Sequence, residues 1–185
     1  MKVNLNAAFL AFSLMFSMNL AAQNTLNTLE SSLKWEGKKI TGSGHNGSLT
    51  FSDSKVMILD GNIISGVFTV DMTTLTCDDL TADQGKANLE GHLKSDDFFS
   101  VEKFNTATLT MLSVENNNAK GFLTIKDISH PIDFMFVKIK EGYKAALVFD
   151  RSKYDVKYAS GNFFKNLGDK LILDEIELSA QLILN

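Results

Sequence analysis

Apolar and polar side chains alternate with a period of two along much of the chain. The clearest case is residues 175–184, in which Ile176, Leu178, Ala180, Leu182 and Leu184 share one face. Positions 175, 177, 179 and 181 on the other face carry glutamate, serine or glutamine. Residues 66–72 follow the same rule, with Phe68, Val70 and Met72 on one face. This period predicts β-strands that bury one face and expose the other to water, as in antiparallel sheets.

Short turn sequences separate the alternating stretches. They are rich in glycine, asparagine and aspartate, which tolerate the left-handed backbone of tight hairpins, and they occupy residues 42–44, 60–62, 116–121, 141–142 and 166–169. Their spacing is typical of consecutive antiparallel strands. Residues 132–139 are apolar on both faces, so we expect their outer face to be covered by a helix or by a second subunit.

One segment has a helical pattern. Leu89 and Leu93 are four residues apart within a predicted helix over residues 85–94, for which Asp83 is the predicted N-cap. So short a helix is not stable alone, so its leucine stripe must dock, with Phe98 and Phe99 anchoring its exit. A further helical turn is predicted over residues 150–156.

Many strands and one short helix indicate an all-β protein. The predicted fold is an antiparallel β-barrel of about eight strands, with the helix near its opening. A barrel of this size either fills its interior with side chains or holds one ligand. The sequence alone leaves both outcomes open.

The N-terminus is typical of an export signal. Lys2 precedes an apolar stretch from Ala7 to Leu20, and the small residues Ala21 and Ala22 follow. The stretch is shorter than the roughly 20 apolar residues of a membrane span and is interrupted by polar side chains. We expect a signal peptide over residues 1–22 and one domain over residues 23–185. The protein would then be periplasmic or secreted, without stable membrane insertion once the signal is removed.

Charge and cysteine content narrow the function classes. The net charge is −4, and no basic cluster occurs in the sequence. Nucleic acid and anionic lipid headgroups are therefore poor candidate partners. Cys77 is the only cysteine, so no internal disulfide can form, and a buried, unreactive thiol is expected.

The residue pattern does not favour an enzyme or a metal site. His45, His92 and His130 belong to no metal-binding motif. No nucleophile elbow, phosphate-binding glycine loop or Cys/His pair occurs. We therefore predict no metal, no cofactor and no catalytic residue.

The chain resembles a known family over nearly all of its predicted mature length. The matching segments include LKWEGKKITGSGHNG, LEGHLKSDDFFSVEKF, GFLTIKDISHPIDF and FDRSKYDVKY. They are similar to the YceI-like, polyisoprenoid-binding family. The resemblance implies an extended, lipocalin-like barrel with a helix near its opening. It also implies export, a long hydrophobic amphiphile in the barrel, no catalytic residues, and a homodimer, which is common in the family.

Candidate site residues follow from the strand pattern. The predicted cavity wall comprises Phe68, Val70, Phe122, Phe134, Phe136, Leu147 and Phe149. A one-residue error in register would move each of these to the opposite face. The predicted cavity mouth comprises His92, Asp96 and Arg151, and the Arg151 guanidinium would suit an anionic head group. For His92 a hydrogen bond that tethers a loop is an equally good interpretation.

Two other functions remain compatible with the sequence. The first is a lipid-modifying enzyme on the same barrel, with His92 and Asp96 or Asp97 as acid and base. The second is a filled, ligand-free barrel that acts as a stress-related interaction module. The filled barrel would have no cavity and no co-purifying lipid.

Overall fold

The computed structural model describes residues 21–185, and this range contains ten β-strands and one α-helix. The first five strands are β1 (Ala22–Thr25), β2 (Ser32–Lys39), β3 (Gly44–Phe51), β4 (Lys55–Leu59) and β5 (Asn62–Cys77). Helix α1 (Lys86–Lys94) follows, and then come β6 (Thr106–Glu115), β7 (Asn118–Ile125), β8 (Ile128–Ile139), β9 (Gly142–Asp150) and β10 (Ile172–Leu182).

Eight of the strands form a closed antiparallel barrel in the order β5-β3-β2-β10-β9-β8-β7-β6. Closure occurs where Gly66–Asp71 of β5 pairs with residues 106–111 of β6. Strands β1 and β4 extend the sheet beyond β5, and an isolated bridge joins Leu26 to Leu184. The predicted all-β, lipocalin-like barrel with one helix is confirmed.

Four of the five predicted turns fall at hairpin connections, and the fifth, over residues 166–169, lies in the long segment between β9 and β10. Asp60 and Gly61 join β4 to β5 with φ angles of 50° and 71°, and Asn116 and Asn117 join β6 to β7 with φ angles of 51° and 64°. Two consecutive left-handed residues match the right-handed twist of the flanking strands, and asparagine, aspartate and glycine adopt that conformation most readily. The turn chemistry therefore sets where these strands end.

Helix α1 begins one residue later than predicted and has a different N-terminus. Asp83 is not the N-cap, because Ala82–Gln84 form a separate 3₁₀ turn, in which the Gln84 side chain accepts a hydrogen bond from the Thr81 N–H at 2.9 Å. Gly85, with a φ of 87°, then redirects the chain into the helix. A left-handed backbone at this junction explains the glycine.

A buried arginine holds the segment between β9 and β10. Arg151 opens the predicted helical turn, a 3₁₀ turn over Arg151–Tyr154 capped by Asp150. Its guanidinium is fully buried and donates hydrogen bonds to four carbonyl oxygens, those of Val156, Tyr158, Ile172 and Leu173. Its Nη2 also lies 3.1 Å from Oδ1 of Asp174. One side chain thus fixes the backbone of residues 151–173.

The outer face of β8 is not covered by the helix. Phe134 and Phe136 point inward, whereas Met135 between them is 49% exposed. Helix α1 packs against β5 instead. The expectation that the helix covers residues 132–139 is therefore wrong, and the alternative cover by a second subunit stays a prediction.

The predicted signal peptide lies almost wholly outside the described residues. Ala22, its last predicted residue, is the first residue of β1 and pairs with Ile58. Across residues 21–185, none of the helices is long and apolar enough to pass through a membrane.

Replacing the buried arginine tests its role in holding residues 151–173. Arg151→Met should lower the free energy of unfolding by about 3–5 kcal/mol, because it removes the cation that pairs with Asp174 and leaves several buried carbonyl oxygens without a donor. Urea unfolding of the purified protein measures this. Lys153→Met, an exposed change on the same 3₁₀ turn, is the control. A loss of less than about 1 kcal/mol in Arg151→Met would contradict this role.

Candidate ligand-binding cavity

A cavity of about 250 Å³ lies inside the barrel. A single buried water needs only about 10–15 Å³, so this space is far larger than a packing defect. Its wall is apolar over most of its length and includes Leu33, Leu49, Phe51, Met72, Leu75, Leu109, Leu123, Ile125, Ile176 and Leu178. The interior side chains therefore do not fill the barrel that they line.

Small residues create part of this space. Ala145 of β9 and Ala180 of β10 are direct cross-strand partners, and both side chains face the cavity. On the neighbouring strands β2 and β3, Gly47 has no side chain to displace the indole of Trp35. The indole N–H therefore reaches the backbone of β5, where it donates to the Thr76 carbonyl at 3.0 Å. The polar atom of Trp35 is thus satisfied within the wall, and its ring faces the cavity.

Six of the seven predicted wall residues line the cavity. They are Phe68, Val70, Phe134, Phe136, Leu147 and Phe149. Five of them are buried and Val70 is packed against the core. Their contribution to ligand binding stays a prediction.

The seventh predicted wall residue, Phe122, is on the opposite face of β7. Its side chain is 42% exposed, whereas its neighbours Gly121 and Leu123 point inward and are buried. Because Phe122 and Leu123 are adjacent and both apolar, the alternation has no defined phase here, and the predicted phase was off by one residue. Leu123 is the wall residue of this strand.

Helix α1 and the residues after it form the roof of the cavity. Leu89 and Leu93 face the interior together with Phe98 and Phe99, as the leucine stripe predicted. The helix is fastened to β5 by Glu90, whose Oε1 accepts a hydrogen bond from the Cys77 N–H at 2.8 Å. The roof is therefore joined to the wall by a polar contact as well as by apolar packing.

Polar groups border the cavity where the β2–β3 hairpin meets the roof. Lys38, Lys39, Ser43 and His45 line this end. Lys38 is paired with Glu36 and Glu177 at 3.1 and 3.2 Å. Lys39 is exposed and forms no ion pair with any residue in the 21–185 range. We call this polar end the mouth, and the sequence interpretation did not identify it.

His92 and Asp96 are not among the residues that line the cavity, and their predicted role at its mouth stays a prediction. The His92 ring contacts the rings of Phe98 and Tyr158 edge to face, and its Nε2 lies 3.5 Å from the Asp97 carboxylate. Asp96 is exposed and pairs with Lys103 at 2.7 Å. The tethering interpretation of His92 fits this geometry, because its ring joins the roof to the β9–β10 segment.

Arg151 borders the cavity, but the protein itself uses most of its donors. Four of its N–H groups donate to the carbonyl oxygens described above, and its Nη2 is paired with Asp174 at 3.1 Å. The predicted interaction of Arg151 with an anionic head group stays a prediction. The sequence shows an arginine near a strand end, but not the carbonyl oxygens that the fold directs toward it.

A polar network next to the mouth joins β3 to the end of β5. The Asp79 carboxylate accepts hydrogen bonds from the Asn46 N–H at 3.0 Å and from the Cys77 thiol at 3.1 Å, and it lies 2.9 Å from Nδ1 of His45. Burial alone would raise the pKa of Asp79, but these hydrogen bonds outweigh it and lower that pKa to about 2. Cys77 is buried as predicted, and burial raises the pKa of its thiol.

This network also brings together three donors that metals use. The donor atoms of His45, Cys77 and Asp79 lie within 4.8 Å of one another. Hydrogen bonds among the three side chains account for their arrangement. The predicted lack of a metal stays a prediction.

These features define a lipocalin-like barrel with one apolar cavity, a helical roof and a polar mouth. Residues 25–184 match the YceI-like domain, and the chain belongs to the YceI-like family. No curated protein matches the chain.

Solved structures agree with this fold. The crystal structure of Burkholderia cenocepacia BcnA matches with a TM-score of 0.64 at 17% identity, over 86% of this chain and 99% of BcnA. A polyisoprenoid-binding domain from Saccharophagus degradans, implicated in plant cell wall breakdown, matches with a TM-score of 0.60 at 12% identity, over 90% of this chain and 99% of that domain. At these identities the likeness shows the fold.

The Asp79 network predicts a pH dependence of stability. The folded-state pKa of about 2 lies below the unfolded value, so the carboxylate stabilises the fold above about pH 4 and loses this effect as the pH falls toward 2. Asp79→Asn should therefore be less stable than wild type near neutral pH, and the difference should shrink in acid. Urea unfolding at several pH values measures it, with exposed Asp133→Asn as the control. A difference that is constant from neutral pH to about pH 2 would contradict this prediction.

Proposed function

We propose that the protein binds a polyisoprenoid or a similar long-chain amphiphile in the barrel cavity. The observation that carries the proposal is the unfilled apolar cavity of about 250 Å³ with polar side chains at its mouth. Family membership and the polyisoprenoid-binding domain among the structural neighbours support it. An amphiphile would place its chain against the phenylalanine and leucine wall and its head group at the mouth.

The apolar wall supplies enough free energy for such binding. Burying an apolar chain yields about 0.8 kcal/mol per methylene, so ten methylenes give about 8 kcal/mol. Ordering and association consume several kcal/mol of this gain. Chains of a few isoprene units should therefore bind in a useful range, whereas short alkyl molecules should not.

The mouth determines which head group is compatible. Lys39 is exposed there without an acidic partner among the described residues, and Ser43 and His45 add further polar atoms. Because Arg151 donates to four backbone carbonyl oxygens and pairs with Asp174, we assign the contact with an anionic or polar head group to Lys39. We favour this assignment over the earlier expectation for His92, Asp96 and Arg151.

The alternative functions find less support in the geometry. His92, Asp96 and Asp97 are not among the residues that line the cavity, which does not favour them as acid and base on a lipid held within it. A filled barrel would have no cavity, whereas this barrel has one. We therefore propose a carrier without catalytic residues.

We further propose that the protein is exported and acts in the periplasm or outside the cell. The basic start, apolar stretch and small residues of the N-terminus support this. In an aqueous compartment, a closed apolar cavity would keep a long-chain amphiphile dispersed for transport, storage or sequestration.

Native mass spectrometry of the purified protein, followed by solvent extraction, tests the proposal. We expect a stoichiometric adduct that extracts as an isoprenoid or another long-chain amphiphile. Ala180→Phe should abolish the adduct, because its ring would enter the cavity that Ala180 and Ala145 face. Ser179→Phe adds the same ring to the outer face of the same strand and should retain the adduct.

Two results would contradict the carrier function. One is a bare wild-type mass that stays unshifted after incubation with polyprenyl lipids and quinones. The other is full lipid occupancy in an Ala180→Phe protein whose circular dichroism and melting temperature show that it is folded.

We also propose a homodimer that covers the outer face of β8. Met135 is 49% exposed there, between two inward-facing phenylalanines. A charge introduced by Met135→Glu should shift the protein toward the monomer in sedimentation equilibrium, because charged groups are disfavoured in the core of an interface. If both wild type and Met135→Glu sediment with the mass of a monomer, the proposed dimer is contradicted.

A further inference from the structure

Exposed apolar side chains surround the cavity mouth. Ile40 is 57% exposed at the tip of the β2–β3 hairpin, and Tyr158, Phe163 and Phe164 are 44%, 46% and 50% exposed in the β9–β10 segment. The two elements are adjacent, because the Ile40 N–H donates to the Leu171 carbonyl at 3.0 Å. We call these four side chains the mouth patch. A cluster of large exposed apolar groups in one region indicates an interaction surface.

The patch is continuous with the cavity. A shallow groove outside the mouth is lined by Tyr158, Phe164 and Leu167, and it shares Lys39 and Ile172 with the cavity wall. A molecule that leaves the cavity at this end therefore meets the aromatic rings of the patch first.

The backbone beneath the patch is held firmly. Ser160 is fully buried, and its hydroxyl donates to the Asp174 carboxylate at 2.8 Å. Its carbonyl accepts hydrogen bonds from the N–H groups of Phe163 and Phe164 at 3.2 and 3.0 Å. The two rings thus point outward from a tight turn that is tied to the same buried pair, Arg151 and Asp174.

Positive charge accompanies the aromatic rings. Residues 157–170 contain three lysines and one aspartate, whereas the whole chain has 18 basic and 22 acidic residues. Lys165 and Lys170 are exposed and form no ion pair with residues of the described range. Lys157 lies 5.5 Å from the centre of the Phe163 ring and also pairs with Asp155. Lys39, which the hairpin brings to the same groove, adds to this charge.

We propose that the mouth patch docks on the surface of a membrane that contains anionic phospholipid. Aromatic rings favour the membrane–water interface, and lysines near an anionic leaflet are attracted to it. This proposal rests on the proposed lipid-binding function. It adds that the bound lipid is exchanged at the membrane surface. Docking would place the mouth against the bilayer, so that a long chain passes between bilayer and cavity without crossing water.

The same features limit the strength of docking. The aromatic side chains are few, and the exposed lysines described above without an ion pair within residues 21–185 are those at positions 39, 165 and 170. Lys39 is distant in the sequence from the other two and joins them only through the fold. Stable membrane attachment takes more than one strong anchor, so docking by this patch is reversible, as a carrier requires.

Vesicle flotation of the full-length mature protein tests the proposal. We expect binding to vesicles of phosphatidylcholine with phosphatidylglycerol, little binding to phosphatidylcholine alone, and loss of binding as the salt concentration rises. The double variant Phe163→Ser, Phe164→Ser should lose roughly tenfold or more in vesicle affinity. Lys165→Gln with Lys170→Gln should lose the preference for anionic lipid.

A matched control removes an equally exposed ring elsewhere. Phe122 is 42% exposed on β7, four strands from β2 in either direction around the barrel. Phe122→Ser should bind vesicles as wild type does. Equal losses in the control and in the Phe163, Phe164 variant would overturn the assignment of docking to the mouth patch.

The remaining outcomes separate docking from cargo binding. If wild-type protein carries a lipid adduct but does not bind anionic vesicles, the docking proposal is overturned and the proposed function is unaffected. Vesicle binding without any adduct would support docking and contradict the carrier. A dimer that dissociates in the Phe163, Phe164 variant, with no vesicle binding by wild type, would make the patch an interface between copies and also overturn the proposal.

Discussion

Pairing between β5 and β6 is the constraint on which the structure depends. It closes the sheet, so that each of the eight strands has hydrogen-bonded neighbours on both sides. Closure also forces every second side chain into a single enclosed volume. The residues at those positions then determine how completely the interior of the barrel is filled. Here glycine and alanine at several of them, including Gly37, Ala107, Ala145 and Ala180, leave the volume incompletely filled.

A second constraint is the buried charge of Arg151. The guanidinium holds the backbone between β9 and β10 in one conformation, and the same segment contributes Tyr158 to the aromatic contacts with His92 and Phe98 of the roof. The roof and the segment beside the mouth are therefore parts of one packed unit. An arginine that donates to four backbone carbonyl oxygens acts here as a structural residue, although it borders an apolar cavity.

The sequence predicted the architecture well because its signals are local. The period-two alternation of β10, the left-handed turn at Asn116 and Asn117, and the spacing of Leu89 and Leu93 each depend on neighbouring residues alone. The site was harder to predict because its geometry depends on long-range contacts. The phase of β7 at Phe122 and Leu123 is ambiguous until the partner strands are known. The network of His45, Cys77 and Asp79 joins residues more than 30 positions apart, and no motif marks it.

The polar mouth lies at the roof end of the cavity, and this placement has a kinetic consequence. A long amphiphile with its head group at the mouth must leave by withdrawing its chain past the same apolar wall. Away from a membrane, each methylene withdrawn into water exposes surface worth about 0.8 kcal/mol, which corresponds to roughly a fourfold lower escape rate per methylene held in the cavity. Molecules that differ by a single isoprene unit would then differ by orders of magnitude in residence time while entering at similar rates. The barrel would therefore select ligands by dissociation rate, retaining long chains and releasing short ones.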